Sequence, residues 1–399
     1  MNTALSVAYD VLRYGASGGF VALHAVIMAG VLREHFQDSR TMADFERMGV
    51  ADAGTGPSAG LPLVSVVIPV HNEVARLEPL LRSLALQDYP FIEIVFVDDR
   101  STDGTINLLH GFADGFTRPG HSVKILQLTE NPGPNYKQFG LEQGLKAASG
   151  AYLALTDADC EVPATWVRGM AARLADAAVG LVVGPVFKRI GGPGVFYLLQ
   201  AFDHAIRVMY VAGASGIGAA GGAFGNNMIV RKTALDAVGG YGTVPFSVTE
   251  DAALLARVKH HSDFHVRTAL GAEVRVMTQE ESTWSDFIKQ TLRWNNGGLY
   301  SPDWGTRINY NLMVIVITIG ILAMPVLPFV PSLWPFTASV LASMVMNTTA
   351  VFMISGNALP RFKPAYLFQI VLSPVFIAYL TLLGYLRVKV YWKGNSIQK

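Results

Sequence analysis

Ala151-Tyr152-Leu153-Ala154-Leu155-Thr156-Asp157-Ala158-Asp159-Cys160 is the stretch from which the rest of the chain is read. Its first five residues are a short apolar run of buried-strand type. Two carboxylates at i and i+2 just past a strand end sit in a turn, where side chains converge on one point. Hard oxygen ligands placed so suit Mg²⁺ or Mn²⁺, and a cation with open ligand positions suits a diphosphate. Taken alone, Asp-x-Asp is more often a solvated turn with a side-chain-to-backbone bond. The surroundings decide between the two.

Upstream, residues 63–70 form a β-branched run of buried-strand type, followed by His71-Asn72-Glu73 and a helical pattern over 74–86. Residues 92–97 read as a second strand ending in Asp98-Asp99-Arg100-Ser101-Thr102-Asp103-Gly104-Thr105, with a helix after it. A third strand covers 123–128, and a helix over 138–148 is stopped at Gly150. Strand–helix alternation predicts a parallel-rich α/β sheet with right-handed crossovers. Ligands of such sheets lie beyond the carboxyl ends of the strands. The polar clusters 71–73, 98–103 and 157–159 all fall at those ends.

Downstream, 179–186 reads as a strand and 196–211 as an apolar helix, while the Gly- and Ala-rich 212–225 reads as a flexible loop. Its Gly-x-Gly lacks the strand–turn–helix setting of a dinucleotide fingerprint. Residues 227–230 form a short strand, and a helix over 232–238 stops at Gly239-Gly240. Thr249 is placed as N-cap of a helix opening with Glu250-Asp251. Residues 264–276 read as a late strand or strand pair. Residues 282–297 are amphipathic, the pattern of a helix lying in a membrane interface.

Hydrophobic residues make up 51% of the 399 and charged ones 15%, and the apolar excess collects at the two ends. That distribution predicts membrane segments. Residues 5–32 are read as a membrane helix or a tilted interfacial anchor, and a cleaved signal peptide is disfavoured because no small-residue cleavage site follows. Residues 311–330, 333–355 and 366–386 are three further apolar stretches near the ~20 residues a span requires. Prolines 325, 328 and 374 predict kinks or breaks in them. Basic residues at Arg361 and Lys363, and again at Arg387, Lys389 and Lys393, put positive charge at both ends of the third stretch, against a simple positive-inside topology. A net charge of +1 gives no basis for a nucleic-acid surface. The single cysteine, Cys160, excludes an intrachain disulfide and a cysteine zinc cluster. His261 and His265 have i, i+4 spacing but enter a strand-like run, so packed or surface histidines are the better reading.

The motifs taken in order resemble membrane-bound glycosyltransferases of family 2, with the GT-A fold. They are Val64-Ser65-Val66-Val67-Ile68-Pro69 with Asn72-Glu73, then Asp98-Asp99-x-Ser101-x-Asp103-Gly104-Thr105, then Lys137 with Gly144 and Ala148. Asp157-Ala158-Asp159, Thr249-Glu250-Asp251 and Gln290-x-x-Arg293-Trp294 complete the series, which spans about 62–300. The resemblance implies a GT-A domain over 62–281, an interfacial helix over 282–305 and membrane segments over 306–390 with a tail at 391–399. Before them come an anchor at 1–35 and a linker at 36–61. It implies a multi-pass protein of the cell membrane with its catalytic domain in the cytoplasm.

The resemblance also implies roles. Pro69, Asn72, Glu73, Asp98, Asp99, Lys137 and Asp157 are assigned to the donor, Asp98 or Asp99 accepting bonds from the nucleoside and Lys137 facing the phosphates. Asp159 is assigned to Mg²⁺ or Mn²⁺. Asp251 is the expected general base, with Glu250 orienting the site. Gln290, Arg293 and Trp294 are assigned to acceptor and diphosphate. The expected reaction is inverting transfer of one sugar from a UDP-sugar to a lipid acceptor such as a ceramide, diacylglycerol, polyprenyl phosphate or hydroxylated carotenoid. The alternative is a processive polysaccharide synthase, whose branch Gln-x-x-Arg-Trp and Thr-Glu-Asp also resemble. Residues 226–231 with Gly239-Gly240-Tyr241 look more like single-transfer lipid enzymes. A non-catalytic scaffold or transporter subunit is a remote third reading, because the apolar stretches carry no buried charge pattern.

Overall fold

The computed structural model describes residues 3–47, 60–132, 135–192, 194–359, 365–389, 391–392 and 395–396. In chain order it contains α1 (Thr3–Arg47), β1 (Val64–Val70), α2 (Glu78–Ala85), β2 (Ile92–Asp98), α3 (Thr105–Gly115), β3 (His121–Gln127) and α4 (Tyr136–Ala147). Next come β4 (Tyr152–Leu155), β5 (Cys160–Glu161), α5 (Trp166–Arg173), β6 (Val179–Val183), β7 (Val186–Lys188) and α6 (Val195–Gly216). Then follow β8 (Met228–Arg231), α7 (Lys232–Ala237), α8 (Glu250–His261), β9 (His265–Thr268) and β10 (Val276–Thr278). The last helices are α9 (Trp284–Leu299), α10 (Trp304–Ala323), α11 (Trp334–Ser355) and α12 (Ala365–Tyr385). These elements form two compact units. One holds Glu34–Arg189 with Ala220–Gln279, the other Met1–Arg33, Ile190–Ala219 and Glu280–Lys399.

The first unit is built on a seven-stranded sheet in the order β3-β2-β1-β4-β8-β6-β9. β1 runs parallel to β2 and β4, and β2 parallel to β3. β8 is antiparallel to both its neighbours, β4 and β6, which makes the sheet mixed. β1 and β2 are almost wholly buried, which explains why both read as unbroken apolar runs. A second, three-stranded sheet joins β5, β10 and β7. The late strand pair expected over 264–276 therefore divides: β9 closes the edge of the large sheet, and β10 belongs to the small one.

At the edge strand β9, the end of α1 supplies what a strand neighbour would. Glu34 accepts the Thr268 N–H at 2.7 Å and the Arg267 guanidinium at 2.8 Å. One turn on, Asp38 accepts the N–H groups of Leu270 and Gly271 and grips Arg173 with both oxygens. Both carboxylates are buried, and each is paired, as burial requires. This corrects the linker expected from residue 36: the helix runs to Arg47 because its polar side chains are used as sheet partners. Residues 48–59 of that linker lie outside the described residues.

The second unit is helical. Ser6–Asp44, Trp304–Val326 and Pro331–Ala358 are long and apolar enough to cross a membrane, and Leu372–Tyr385 is a shorter apolar helix. Phe20, Val314, Ile317, Val340 and Met344 form one apolar cluster; Leu199, Phe287, Leu292, Phe376 and Leu380 form another. α10 gives way to a 3₁₀ turn at Met324–Val326, and Pro374 lies inside α12. Arg361, Lys363 and Lys393 lie outside the described residues.

Residues 212–216 are helix rather than the expected loop. A Cβ on Gly30 would fall 2.1 Å from the Gly213 carbonyl oxygen, and one on Gly216 would fall 2.0 Å from that of Gly30. Small residues that suggest a loop in sequence here let α1 and α6 touch backbone to backbone. His24 Nε2 and Asn347 Nδ2 meet the Tyr210 hydroxyl at 2.7 and 3.0 Å, joining α1, α6 and α11. The helix expected over 74–86 is shorter, because 74–77 form turns held by Glu73 before α2 starts at Glu78.

Candidate active site

The three polar clusters lie at the carboxyl ends of β1, β2 and β4, and two of them are interlaced. The Asn72 N–H donates to Ser101 Oγ, and the Thr102 N–H donates to Asn72 Oδ1. The Glu73 N–H donates to Thr105 Oγ1, and the Val74 N–H to Asp103 Oδ2. Asn72 and Arg100 both hold positive φ, at 53° and 59°, so the two loops are tightly turned. Asp103 is a loop brace: although burial opposes it, bonds from Thr105 and Val74 pull its carboxyl below the usual carboxylate range. Pro69 stands inside β1, opposite Val97.

The structure separates Asp98 from Asp99. Asp99 accepts from Arg100 Nε at 2.8 Å and Asn131 Nδ2 at 2.9 Å. Asp98 is buried, yet its Oδ1 has no hydrogen-bond partner among the described residues. An unsatisfied buried acceptor at a strand end is costly unless something binds it.

The Asp157–Asp159 turn is closed by the Cys160 N–H on the Asp157 carbonyl at 3.2 Å. Lys137, near the start of α4, places Nζ 2.8 Å from Asp157 Oδ1 and 3.2 Å from Glu250 Oε1. One ammonium thus ties the β4 turn to the N-terminus of α8. Burial works against that charge, but Asp157 and Glu250 hold the ammonium well above the usual lysine range.

Asp251, beside Glu250, accepts the Gly225 N–H through Oδ2 at 2.7 Å and the Ala252 N–H through Oδ1 at 2.8 Å. Burial and the Glu250 charge push Asp251 up to about 6, against the opposing pull of Lys137 and the two N–H groups. A carboxylate poised there holds a proton weakly at neutral pH, which suits a general base. Thr249 stands at the N-cap of α8, as expected from the sequence, but its side chain makes no cap bond. Its N–H is taken instead by Ser247 Oγ at 3.1 Å.

Burial, then Asp157, raise the Asp159 carboxyl, with Arg76 and Lys137 opposing. Asp159 has only a long ion pair, with Arg76 at 3.9 Å, and a hard divalent cation relieves such loosely paired charge on oxygen, so the residues present fit Mg²⁺ or Mn²⁺. Among the described residues no three side chains form a complete ligand set. A cation at Asp159 would draw its other ligands from substrate oxygens and water.

Arg76 escaped the sequence reading, and Asn226 and Tyr241 entered it only as marks of the lipid-transferring branch, with no role at the site. Arg76 pairs with Glu73 at 2.8 Å and reaches 3.9 Å from Asp159. Asn226 takes the Thr156 hydroxyl on its carbonyl oxygen and sends Nδ2 toward Cys160 Sγ at 3.4 Å, so the 224–227 turn packs on the Asp157–Asp159 turn. The Tyr241 hydroxyl is buried with no partner among the described residues, and Glu250 and Asp251 are among the charges acting on it. Sequence offers one signal for these, the Gly-rich segment before β8, which reads as a loop over a site.

Gln290, Arg293 and Trp294 lie on α9 in the helical unit. Gln290 Nε2 donates to Glu281 at 2.5 Å. Trp294 packs at a tilt against His204, ring centroids 5.2 Å apart, and lies under the Arg207 guanidinium at 5.3 Å. Arg207 is paired with Asp203 at 3.0 Å.

The chain is 26% identical over 284 residues to a beta-monoglucosyldiacylglycerol synthase of Nostoc sp., covering 67% of this chain and 58% of that protein. It is 25% identical over 240 residues to a poly-beta-1,6-N-acetyl-D-glucosamine synthase of Staphylococcus epidermidis, covering 59% and 54%. The alignments thus span a little over half the length of these two relatives. Among solved structures, a mannosyltransferase of Pyrobaculum calidifontis in complex with GDP-Man and Mn²⁺ has a similar fold. Its TM-score is 0.51 at 19% identity, covering 94% of this chain and all of that one. The motif series resembles family 2; the family model that matches, over residues 22–398, is described as glycosyl transferase family 21, and the chain belongs to that family.

Proposed function

We propose that this protein is a membrane-bound inverting transferase that moves one sugar from a UDP-sugar to a hydroxyl of a lipid, at the cytoplasmic face. The observation that carries the reading is the Lys137 bridge, which brings the Asp157 turn and the Glu250-Asp251 helix start to one ammonium. A donor-side motif and a base-side motif held that close suit a reaction in which a sugar passes between them. Asp98, with its unsatisfied oxygen, and Asp99 would hold the nucleoside, with Pro69, Asn72 and Glu73 shaping the same edge. Asp159 would hold Mg²⁺ or Mn²⁺, with Asp157 beside it at the ribose or a metal-bound water; such a cation supplies Lewis-acid stabilisation of the departing diphosphate. Asp251 would take the acceptor hydroxyl proton on a carboxylate whose two oxygens each accept one backbone N–H, and Glu250 fixes the Lys137 that steadies it.

A lipid acceptor is supported by the three helices long and apolar enough to cross a membrane and by the similarity to a diacylglycerol-glucosylating protein. Gln290, Arg293 and Trp294 are the candidates for acceptor and diphosphate contacts. The similarity to a poly-N-acetylglucosamine synthase favours the second reading, a processive synthase. UDP release by purified protein with Mn²⁺, followed by mass spectrometry of the product, separates these. One added sugar on a lipid supports the first reading, and an oligomer ladder the second. No UDP release with any donor leaves a non-catalytic membrane protein.

A further inference from the structure

The donor site contains a cation whose position no motif explains. Arg76 sits in the turn after β1, fixed by its own N–H on the Glu73 carbonyl at 2.9 Å. Its Nε and one terminal nitrogen both lie on Glu73 Oε2, at 3.0 and 2.8 Å. The other terminal nitrogen points at Asp159 Oδ2 from 3.9 Å. The first contact is a charge-assisted bond to a buried carboxylate; the second is an ion pair too long for a hydrogen bond. The side chain is 42% exposed, so a ligand can reach it from solvent.

The charges around it explain the loose contact. Lys137 is committed to Asp157 and Glu250, while Asp159 has Arg76 as its ion-pair partner. A divalent cation at Asp159 would repel that guanidinium and take over its neutralising role. Glu73 would keep hold of one edge, leaving the planar fork to swing through a short arc. A diphosphate is the ligand that a released guanidinium edge fits best, because it accepts two parallel N–H bonds.

We propose that Arg76 is a mobile counter-ion of the donor site: it stands in for the cation at Asp159 and passes to the donor's diphosphate when the cation binds. The proposal rests on the donor-site reading above. Its signature is two effects of opposite sign from one substitution. Arg76→Gln removes a positive charge that competes with the cation, so Mn²⁺ binding without nucleotide tightens, by about threefold or more. The same change removes a charge-assisted bond to phosphate, so UDP binding with Mn²⁺ saturating weakens, by about tenfold. Arg76→Lys keeps the charge and loses the fork. It leaves Mn²⁺ binding as in the unaltered protein and restores UDP binding only in part.

The test uses the full chain purified in detergent, with Mn²⁺ binding read from the electron paramagnetic resonance signal of free Mn²⁺ and UDP binding by calorimetry. Circular dichroism confirms that each variant is folded, and Arg76→Lys serves if Arg76→Gln is not. Weaker or unchanged Mn²⁺ binding in Arg76→Gln overturns the counter-ion role. Unchanged UDP binding overturns the diphosphate role, as does full restoration by lysine of the planar fork's contribution. If the unaltered protein binds neither Mn²⁺ nor UDP, the donor-site reading itself falls, an outcome distinct from a variant that binds both normally.

Discussion

The Gly225 N–H donates to Asp251 Oδ2 at 2.7 Å, linking the turn before β8 to the first turn of α8. This bond sets the orientation of the proposed base. Asp251→Asn should spare UDP binding and lower turnover by about 10²–10⁴-fold, the usual range for a general base. Retained turnover would make Asp251 structural. Because Asp251 is pushed up to about 6, kcat/KM should fall as pH drops through that value. The same shift has a stability sign. The folded state holds its proton more tightly than the unfolded one, so between about pH 4 and 6 stability falls as pH rises. Asp251→Asn should therefore raise Tm at pH 7.5 and leave it unchanged near pH 3.5, checked by thermal unfolding at both.

Lys137 opposes the upward push on Asp251. Lys137→Met leaves Asp157, Glu250 and Asp251 without their shared cation. The acid limb of kcat/KM should move above its unaltered position near 6, and UDP binding should weaken. A limb that stays in place would mean that Lys137 does not act on the base.

Asp159 carries the metal assignment. Asp159→Ala should abolish the Mn²⁺-dependent part of UDP binding in calorimetry while the protein stays folded. Donor binding that still responds to Mn²⁺ would remove Asp159 from the metal site.

Glu93 belongs to the fold rather than the chemistry. It is buried, and although burial alone would raise it, Lys124, Ser149 and Ser65 pull its carboxyl down to about 2. That stability is fully present above the unfolded value near 4.5 and is lost as pH falls toward 2. Glu93→Gln should cost about 1–3 kcal/mol at neutral pH, the range for a charged hydrogen-bonded group, and flatten the acid side of a Tm-against-pH curve.

In the helical unit, Gly30→Leu places a side chain where α6 backbone already sits. The expected result is a Tm several degrees lower in detergent, or loss of folded protein, with Gly30→Ala intermediate. An unchanged Tm for Gly30→Leu would mean that α1 and α6 need not touch.

The sequence by itself determined the strands β1, β2 and β4, because a buried parallel strand must be a continuous apolar run and each ends in a polar cluster. It also determined the apolar helices found toward both ends among the described residues, since length and composition carry that signal. Tertiary structure decided the rest. Residues 36–47 of α1 are mostly polar, yet Asp38 is buried because Arg173 and two backbone N–H groups meet it. Gly213 and Gly216 suggest a loop until Gly30, almost two hundred residues away, comes into contact. Arg76 and Gly225 look ordinary in sequence, because a point charge or an N–H gains its role only from the carboxylate that folding places opposite it.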